Sequence, residues 1–488
     1  LYSLQKCVII TLVGRKEEQQ QLEHLLDSKE AEFLVVYGRR RVGKTFLIRN
    51  YFKDRLTFYH TALSPLELEE GELLQAQLQN FTSSLRRSGM EIDAAPQSWF
   101  EAFDLLIDFL SGKPKTEKII VFIDEVPWLD TPKSGFVTAF EHFWNGWAAG
   151  QDNLLLVACG SATTWIVDRL LSNKGGLYNR VTQEMHLAPF TLKECEEYYR
   201  EHGVVMDRYD QVQCYMAIGG IPYYMSFIDP GYSLAQNIDR LLFTRNGLLT
   251  LEFGRLFGSL FSSPEPYKQV IRLLADYREG LKREDIAKLL NMSSGGTLSK
   301  LLEALVVSDF VTRYQYFGKS KREVYYKLTD FYSLFYIRFV EKGRRMNVDY
   351  WQNNQLTPSV TAWRGLAFED VCMVHVQQIR QALGILGVQS EASPWHYVSV
   401  DKKMGAQIDL LINRSDRIVD ICEMKFCVNT YRMDKKADES IRNKIQVVMD
   451  TVRGRKAIHP VIVTTYGLAK NEYSSRIQRV ITMDDLFC

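Results

Sequence analysis

Short, fully apolar runs punctuate the first half of the chain: Phe33 to Tyr37 (FLVVY), Ile119 to Ile123 (IIVFI) and Leu154 to Ala158 (LLLVA); Leu56 to Tyr59 is another possible strand. Runs of this kind, rich in branched residues, suit strands buried on both faces. A helical pattern starts at Lys44, directly after the first run. Strands alternating with helices predict a parallel sheet covered by helices on both sides. After about residue 190 the pattern turns helical and polar. Residues 266–340 read as three helices and a hairpin, Phe310 to Phe317 with Glu323 to Leu328, turning at Gly318-Lys319-Ser320. A helix over about 360–383 follows, then strands around Ile408 to Ile412 and Ile418 to Phe426. Gly343 to Thr357 is polar, charged and aperiodic, and reads as a linker.

The fold class expected is therefore α/β. A parallel-sheet domain would occupy residues 1–190, a helical lid 191–262, a winged helix 263–345 and a second α/β domain 358–488. A chain of 488 residues is too long for one core, and about three domains fit its length.

One motif gives the first domain a chemistry. Gly38-Arg39-Arg40-Arg41-Val42-Gly43-Lys44-Thr45 matches G-x-x-x-x-G-K-[ST] and lies between a strand and a helix. Glycines let the backbone curl its N–H groups toward phosphate, and the helix start adds its positive dipole end. Lys44 would reach the β and γ phosphates of ATP, and the Thr45 hydroxyl would ligate Mg²⁺. The run Ile119 to Ile123 ends in Asp124-Glu125. Asp124 would hold the Mg²⁺ shell, and Glu125 would polarise the attacking water as general base. Ser161, after the next strand, is either a sensor of the γ phosphate or an ordinary loop serine. Arg180 is either an arginine finger, acting in its own chain or across an interface, or a surface ion-pair residue. The triple arginine of the loop carries more charge than the motif requires.

Composition excludes several classes. Hydrophobic residues make up 46% and charged residues 24%, with a net charge of +1, so no partner is favoured by the whole-chain balance. No run approaches the roughly 18 uncharged apolar residues that span a bilayer. The start, LYSLQKCVIITLVG, reads as an ordinary segment and not as a signal. The eight cysteines form no C-x-x-C pair, and a reducing cytoplasm fits best.

Charge is local. Residues 262–345 carry sixteen Lys/Arg against ten Asp/Glu. Leu281-Lys-Arg-Glu-Asp-Ile-Ala-Lys-Leu-Leu is amphipathic, Ser293-Ser-Gly-Gly-Thr supplies a turn and an N-cap, and Thr297 to Val307 stands in the recognition position. Basic groups at the Lys319-Ser-Lys321-Arg322 tip suit phosphate contact. Only Lys300 is basic in the recognition helix. The module either binds DNA or packs between domains as a lid.

Further on, Asp409 lies in Gln-Ile-Asp-Leu-Leu-Ile, and Glu423 and Lys425 in Ile-Cys-Glu-Met-Lys-Phe. Charged residues inside apolar strands are costly without partners. Alternation puts Glu423 and Lys425 on one face, with Met424 and Phe426 opposite. Pairing the two strands would bring Asp409 beside Glu423, two carboxylates suited to Mg²⁺, with Lys425 placed to act on a water and a phosphate. The same residues equally describe a buried ion-pair network.

Two resemblances follow. Leu12-Val-Gly-Arg15-Lys-Glu17, the Gly38 to Thr45 loop, Phe122-Ile-Asp-Glu125, Cys159-Gly-Ser161, Tyr178-Asn-Arg180 and Gly219-Gly-Ile-Pro222 occur in order. Together they resemble the archaeal-type ATPases of the STAND/AAA+ group, over residues 12 to about 340. The resemblance implies a place near the adenine for Arg15 and Pro222. Residues 358–488 resemble the PD-(D/E)-x-K nuclease core, with isoleucine in place of the proline before Asp409. That resemblance implies that Glu369, on the preceding helix, is a further acidic residue of the site.

Three functions compete: an ATP-controlled, metal-dependent nuclease; a regulatory ATP switch with a non-cutting C-terminal domain that binds DNA or protein; and an assembly or signalling ATPase whose C-terminal region binds protein. A homo-oligomer is compatible with each.

Overall fold

The computed structural model describes residues 12–65, 71–172, 177, 179–261, 263–293, 295–318, 323–342, 349–398, 405–452 and 454–488. Tyr178, Ser294, the hairpin tip Lys319 to Arg322, residues 343–348 of the expected linker and the first eleven residues lie outside the described residues. The chain divides into two compact units. One comprises residues 1–189, 258–262 and 303–309; the other comprises 190–257, 263–302 and 310–488.

The first unit runs α1 (Lys16–Asp27), β1 (Glu32–Tyr37), α2 (Lys44–Phe52), β2 (Phe58–Thr61), α3 (Leu73–Arg87), α4 (Trp99–Ser111), β3 (Ile119–Asp124), α5 (Phe136–Gly146), β4 (Leu154–Cys159), α6 (Thr163–Ile166) and β5 (Gln183–His186). All five strands are parallel, in the order β2-β3-β4-β1-β5. Strands β3 and β4 are buried along their whole length and β1 nearly so, which is why their sequences show unbroken apolar runs. The polar edge strand β5 has one strand neighbour and shows no such run, so the apolar pattern misses it. Phe33, Phe81, Trp99, Phe103, Phe136 and Phe140 lock α3, α4 and α5 onto the sheet. Each such side chain contributes roughly 1.5–3 kcal/mol by leaving water.

The second unit begins with α7 (Leu192–Glu201), α8 (Arg208–Ile218), α9 (Pro222–Met225) and α10 (Leu234–Ile238). After α11 (Glu252–Leu260) come α12 (Glu265–Asp276), β6 (Leu281–Lys282), α13 (Arg283–Leu289), α14 (Gly296–Val307), β7 (Val311–Tyr314) and β8 (Tyr325–Leu328). The three strands form an antiparallel sheet, β6-β8-β7. Next come α15 (Phe331–Phe335), α16 (Tyr350–Asn354), α17 (Pro358–Val374) and α18 (Val376–Leu383). The chain closes with β9 (Ser390–Val398), β10 (Gly405–Arg414), β11 (Ile418–Lys425), α19 (Lys435–Thr451), β12 (Ala457–Thr464) and β13 (Arg479–Thr482).

These last strands make a mixed sheet, β13-β12-β11-β10-β9, antiparallel from β9 to β11 and parallel from β11 to β13. Helix α17 lies against β11, and α19 against β10 and β12. The β9–β10 register shifts between Ile408 and Leu411, where Asp409 and Leu410 face Pro394 alone. Proline has no N–H to give the ladder, so a bulge forms at that point.

Candidate active site

The loop Gly38 to Gly43 connects β1 to α2 at the carboxyl end of a central strand, where open parallel sheets place their ligands. A Cβ on Gly38 would stand 2.4 Å from the Leu187 carbonyl oxygen, so only glycine fits there. Gly43, at φ 96°, opens α2 in a left-handed conformation that costs glycine little. Lys44 is buried, and its ammonium donates to the carbonyls of Gly38 (2.9 Å) and Arg39 (3.1 Å). Burial pushes the ammonium below its usual pKa, against the pull of Glu125 and Asp124.

The Thr45 hydroxyl donates to Asp124 Oδ2 at 2.7 Å, across from the end of β3. Asp124 is pushed up by burial first and by Glu125 second. Two hard oxygens side by side at the loop mouth suit a Mg²⁺ ion, which Thr45 and Asp124 would hold. Glu125 follows in the left-handed region, φ 51°. Its carboxylate accepts from the Ser161 backbone N–H (3.0 Å) and the Ser161 hydroxyl (2.8 Å). Loop, Thr45, Asp124, Glu125 and Ser161 thus form one polar cluster at one end of the parallel sheet.

Residues 12–228 match a family described as an ATPase domain predominantly from Archaea. This segment is an ATPase domain. An uncharacterized protein of Methanocaldococcus jannaschii is 24% identical over 443 residues, 89% of this chain and 92% of its own length. An uncharacterized ATP-binding protein of the same organism is 43% identical over 47 residues, 10% of this chain and 80% of that protein. Among solved structures, a Walker-type ATPase of Pyrococcus abyssi aligns with a TM-score of 0.47 at 19% identity, over 67% of this chain and 96% of that one.

The ATPase domain gives the flanking residues definite places. Arg15 is buried just ahead of α1 and donates to the Val42 carbonyl at 3.2 Å, so it braces the phosphate loop from behind. Arg39 is fully buried and donates to the Arg40 carbonyl at 3.2 Å, while Arg41 takes a left-handed backbone, φ 77°. Part of the triple-arginine charge is therefore spent on shaping the loop. Arg180 is exposed, in the turn before β5. His186 on β5 contacts Asp309 at 2.9 Å, and this partner raises its pKa above the usual value against the effect of burial. Neither residue lies in a motif, so the sequence alone does not point to the pair. Pro222 opens α9 in the second unit, after Gly220, whose N-terminal approach to Phe190 is tight: the Phe190 N–H donates to the Gly220 carbonyl at 2.6 Å.

The second unit brings another set of charges together. Extending the β10–β11 register by one from the Leu410–Cys422 pair sets Asp409 opposite Glu423. Asp409 Oδ2 accepts from the Met424 N–H at 2.9 Å. Lys425 Nζ donates to Glu423 Oε1 at 2.7 Å, and Lys444 Nζ, from α19, donates to Glu423 Oε2. Burial raises the Glu423 pKa, but Lys444 and Lys425 outweigh it and hold the group below its usual value. Asp409 is raised, by burial and then by Glu423. Glu369 on α17 is pushed up to about 7, by burial and then by Asp409, with Arg278 opposing.

Arg278 and Lys327 approach α17 from the three-stranded module. Arg278 reaches Glu369 at 3.7 Å and Asp370 at 3.3 Å, and Lys327 reaches Asp370 at 2.6 Å. A narrow pocket lies here, lined by Arg278, Tyr314, Lys327, Glu369, Trp395 and Asp409 among others. The sequence alone does not single out Lys444 or Arg278. Neither belongs to a short motif, and only the fold carries them to the carboxylates.

Proposed function

We propose that this ATPase is an ATP-controlled, metal-dependent DNA nuclease, with cutting carried out by Asp409, Glu423 and Lys425. The observation that supports it is the cross-strand pair Asp409–Glu423 with Lys425 on the same face, in a bulged strand of a mixed sheet. Bulges recur beside active sites because they re-aim a side chain. Two opposed carboxylates suit a Mg²⁺ that keeps most of its waters. A bound Mg²⁺ would polarise the phosphodiester and acidify a water. Asp409 and Glu423 would hold it, and Lys425 would face the phosphate charge. The three helices and antiparallel sheet between residues 265 and 328 have the element order of a winged helix, which we assign to phosphate-backbone contact with DNA. At the ATP site, Lys44 would bind phosphate, Thr45 and Asp124 the Mg²⁺, Glu125 the water, and exposed Arg180 the transferring phosphoryl of its own or a second copy. Arg15 and Pro222 are assigned to the adenine side.

A specific observation favours the regulatory, non-cutting reading. Both Glu423 oxygens are taken by lysines, and among the described residues no three His, Cys, Asp or Glu form a group that could hold a metal ion, Glu369 included. The two readings part on one assay: linear and circular DNA with Mg²⁺ or Mn²⁺, with and without ATP, for wild type, Lys44→Ala and Glu423→Ala. Cutting that Glu423→Ala abolishes, and that depends on ATP only when Lys44 is intact, is the result expected. No cutting, beside ATP turnover that Lys44→Ala removes, would make the chain a regulatory ATPase.

A further inference from the structure

Lys444 stands out among the charged side chains that no motif explains. It lies on the buried stripe of α19, one turn after Ile441 and one before Val447 and Val448, all core residues. A lysine on such a stripe is costly unless its charge is matched. Its match is Glu423, which Lys425 already pairs through the other oxygen. One carboxylate thus carries two ammonium groups, and with Asp409 opposite it two carboxylates face two lysines. The two differ in freedom: the Lys444 side chain is 13% exposed and that of Lys425 is 37%.

Resting on the nuclease reading above, we propose that Lys444 is a positioning residue of the carboxylate site. From the helix it fixes Glu423 through Oε2 and occupies part of the charge that a divalent cation would otherwise take. The more exposed Lys425 is then the freer of the two lysines, the one that would face the phosphate if Asp409 and Glu423 held a divalent cation. In the reaction this serves, a water oxygen bonds to phosphorus, the ester P–O bond breaks, and the water proton passes to solvent as the leaving oxygen is protonated. Lys444 takes no part in those bonds.

The test measures Mn²⁺ binding to the full chain by calorimetry, without DNA, beside DNA cleavage. Removing a fixed positive charge next to the ligand should tighten Mn²⁺ about tenfold in Lys444→Met. Cleavage should fall about tenfold or more, because Glu423 loses the contact that fixes its direction. Lys444→Arg should restore both quantities toward wild type. If Lys444→Met does not fold, Lys444→Gln is measured in the same way. Mn²⁺ affinity unchanged or weaker in the neutral variant, with only a lower melting temperature, would overturn the proposal and leave an ordinary buried ion pair. Tightened Mn²⁺ binding in a chain that never cuts would sink the nuclease reading while the positioning role stands. Wild type that binds no Mn²⁺ through Glu423 would remove both.

Discussion

Ser161 shows how much one short side chain can decide. It gives Glu125 both a backbone and a hydroxyl donor, so the carboxylate is held by two hydrogen bonds. Hydrogen bonds to an ionised group are about twice as strong as neutral ones, and they fix direction as well as energy. For the base role proposed for Glu125 direction matters, since general-base catalysis works only within hydrogen-bond reach of its proton. Ser161→Ala should therefore lower the kcat of ATP hydrolysis about tenfold or more, with KM for ATP little changed. Steady-state kinetics on wild type and variant check this, and a raised KM at unchanged kcat would mean that Ser161 serves binding instead. From the sequence Ser161 reads either as a phosphate sensor or as a loop serine. Its hold on Glu125 appears only once β3 and β4 are adjacent.

Among elements, edge strand β5 is tied to Asp309 of the same unit. His186 on β5 and Asp309 beyond α14 are joined at 2.9 Å. The folded pKa of His186 lies above its unfolded value, because Asp309 favours the charged ring. The stabilisation is thus fully present below the unfolded pKa and is lost as pH rises through the folded one. His186 is 39% exposed, so solvent screening keeps the pair to no more than about 1 kcal/mol. Asp309→Asn should lower the melting temperature at pH 6 and leave it unchanged at pH 9. An equal drop at both values would point to the left-handed backbone of Asp309, φ 59°, and not to charge. The antiparallel module makes a related point. Its residues Arg278 and Lys327 share Asp370 of α17, an ion triad that links the two elements within one unit.

For the whole molecule, the phosphate loop and the opposed carboxylates lie in two separate units. Sites that share no partner residue keep their own local binding independently. Glu423→Ala should accordingly turn over ATP within about twofold of wild type, and Lys44→Ala should keep its Mn²⁺ affinity at the carboxylates. Coupling between the units would show as a larger change in either number. No helix among the described residues is long and apolar enough to cross a membrane. By itself the sequence determined the parallel sheet's central strands, the phosphate loop, Asp124-Glu125, and the paired strands bearing Asp409 and Glu423. Each of these is written in neighbouring residues: apolar runs where a strand is buried on both faces, and a contiguous motif where backbone geometry is local. Tertiary structure alone decided the rest. Strands β5, β9, β12 and β13 lack a clean signal, because two are polar or short edge strands and Pro394 and Pro460 interrupt the others. The hold of Ser161 on Glu125, the brace of Arg15 on Val42, the bulge at Asp409 and the reach of Lys444 to Glu423 join residues far apart in the chain. Such contacts arise from packing, and no local pattern of side chains encodes them.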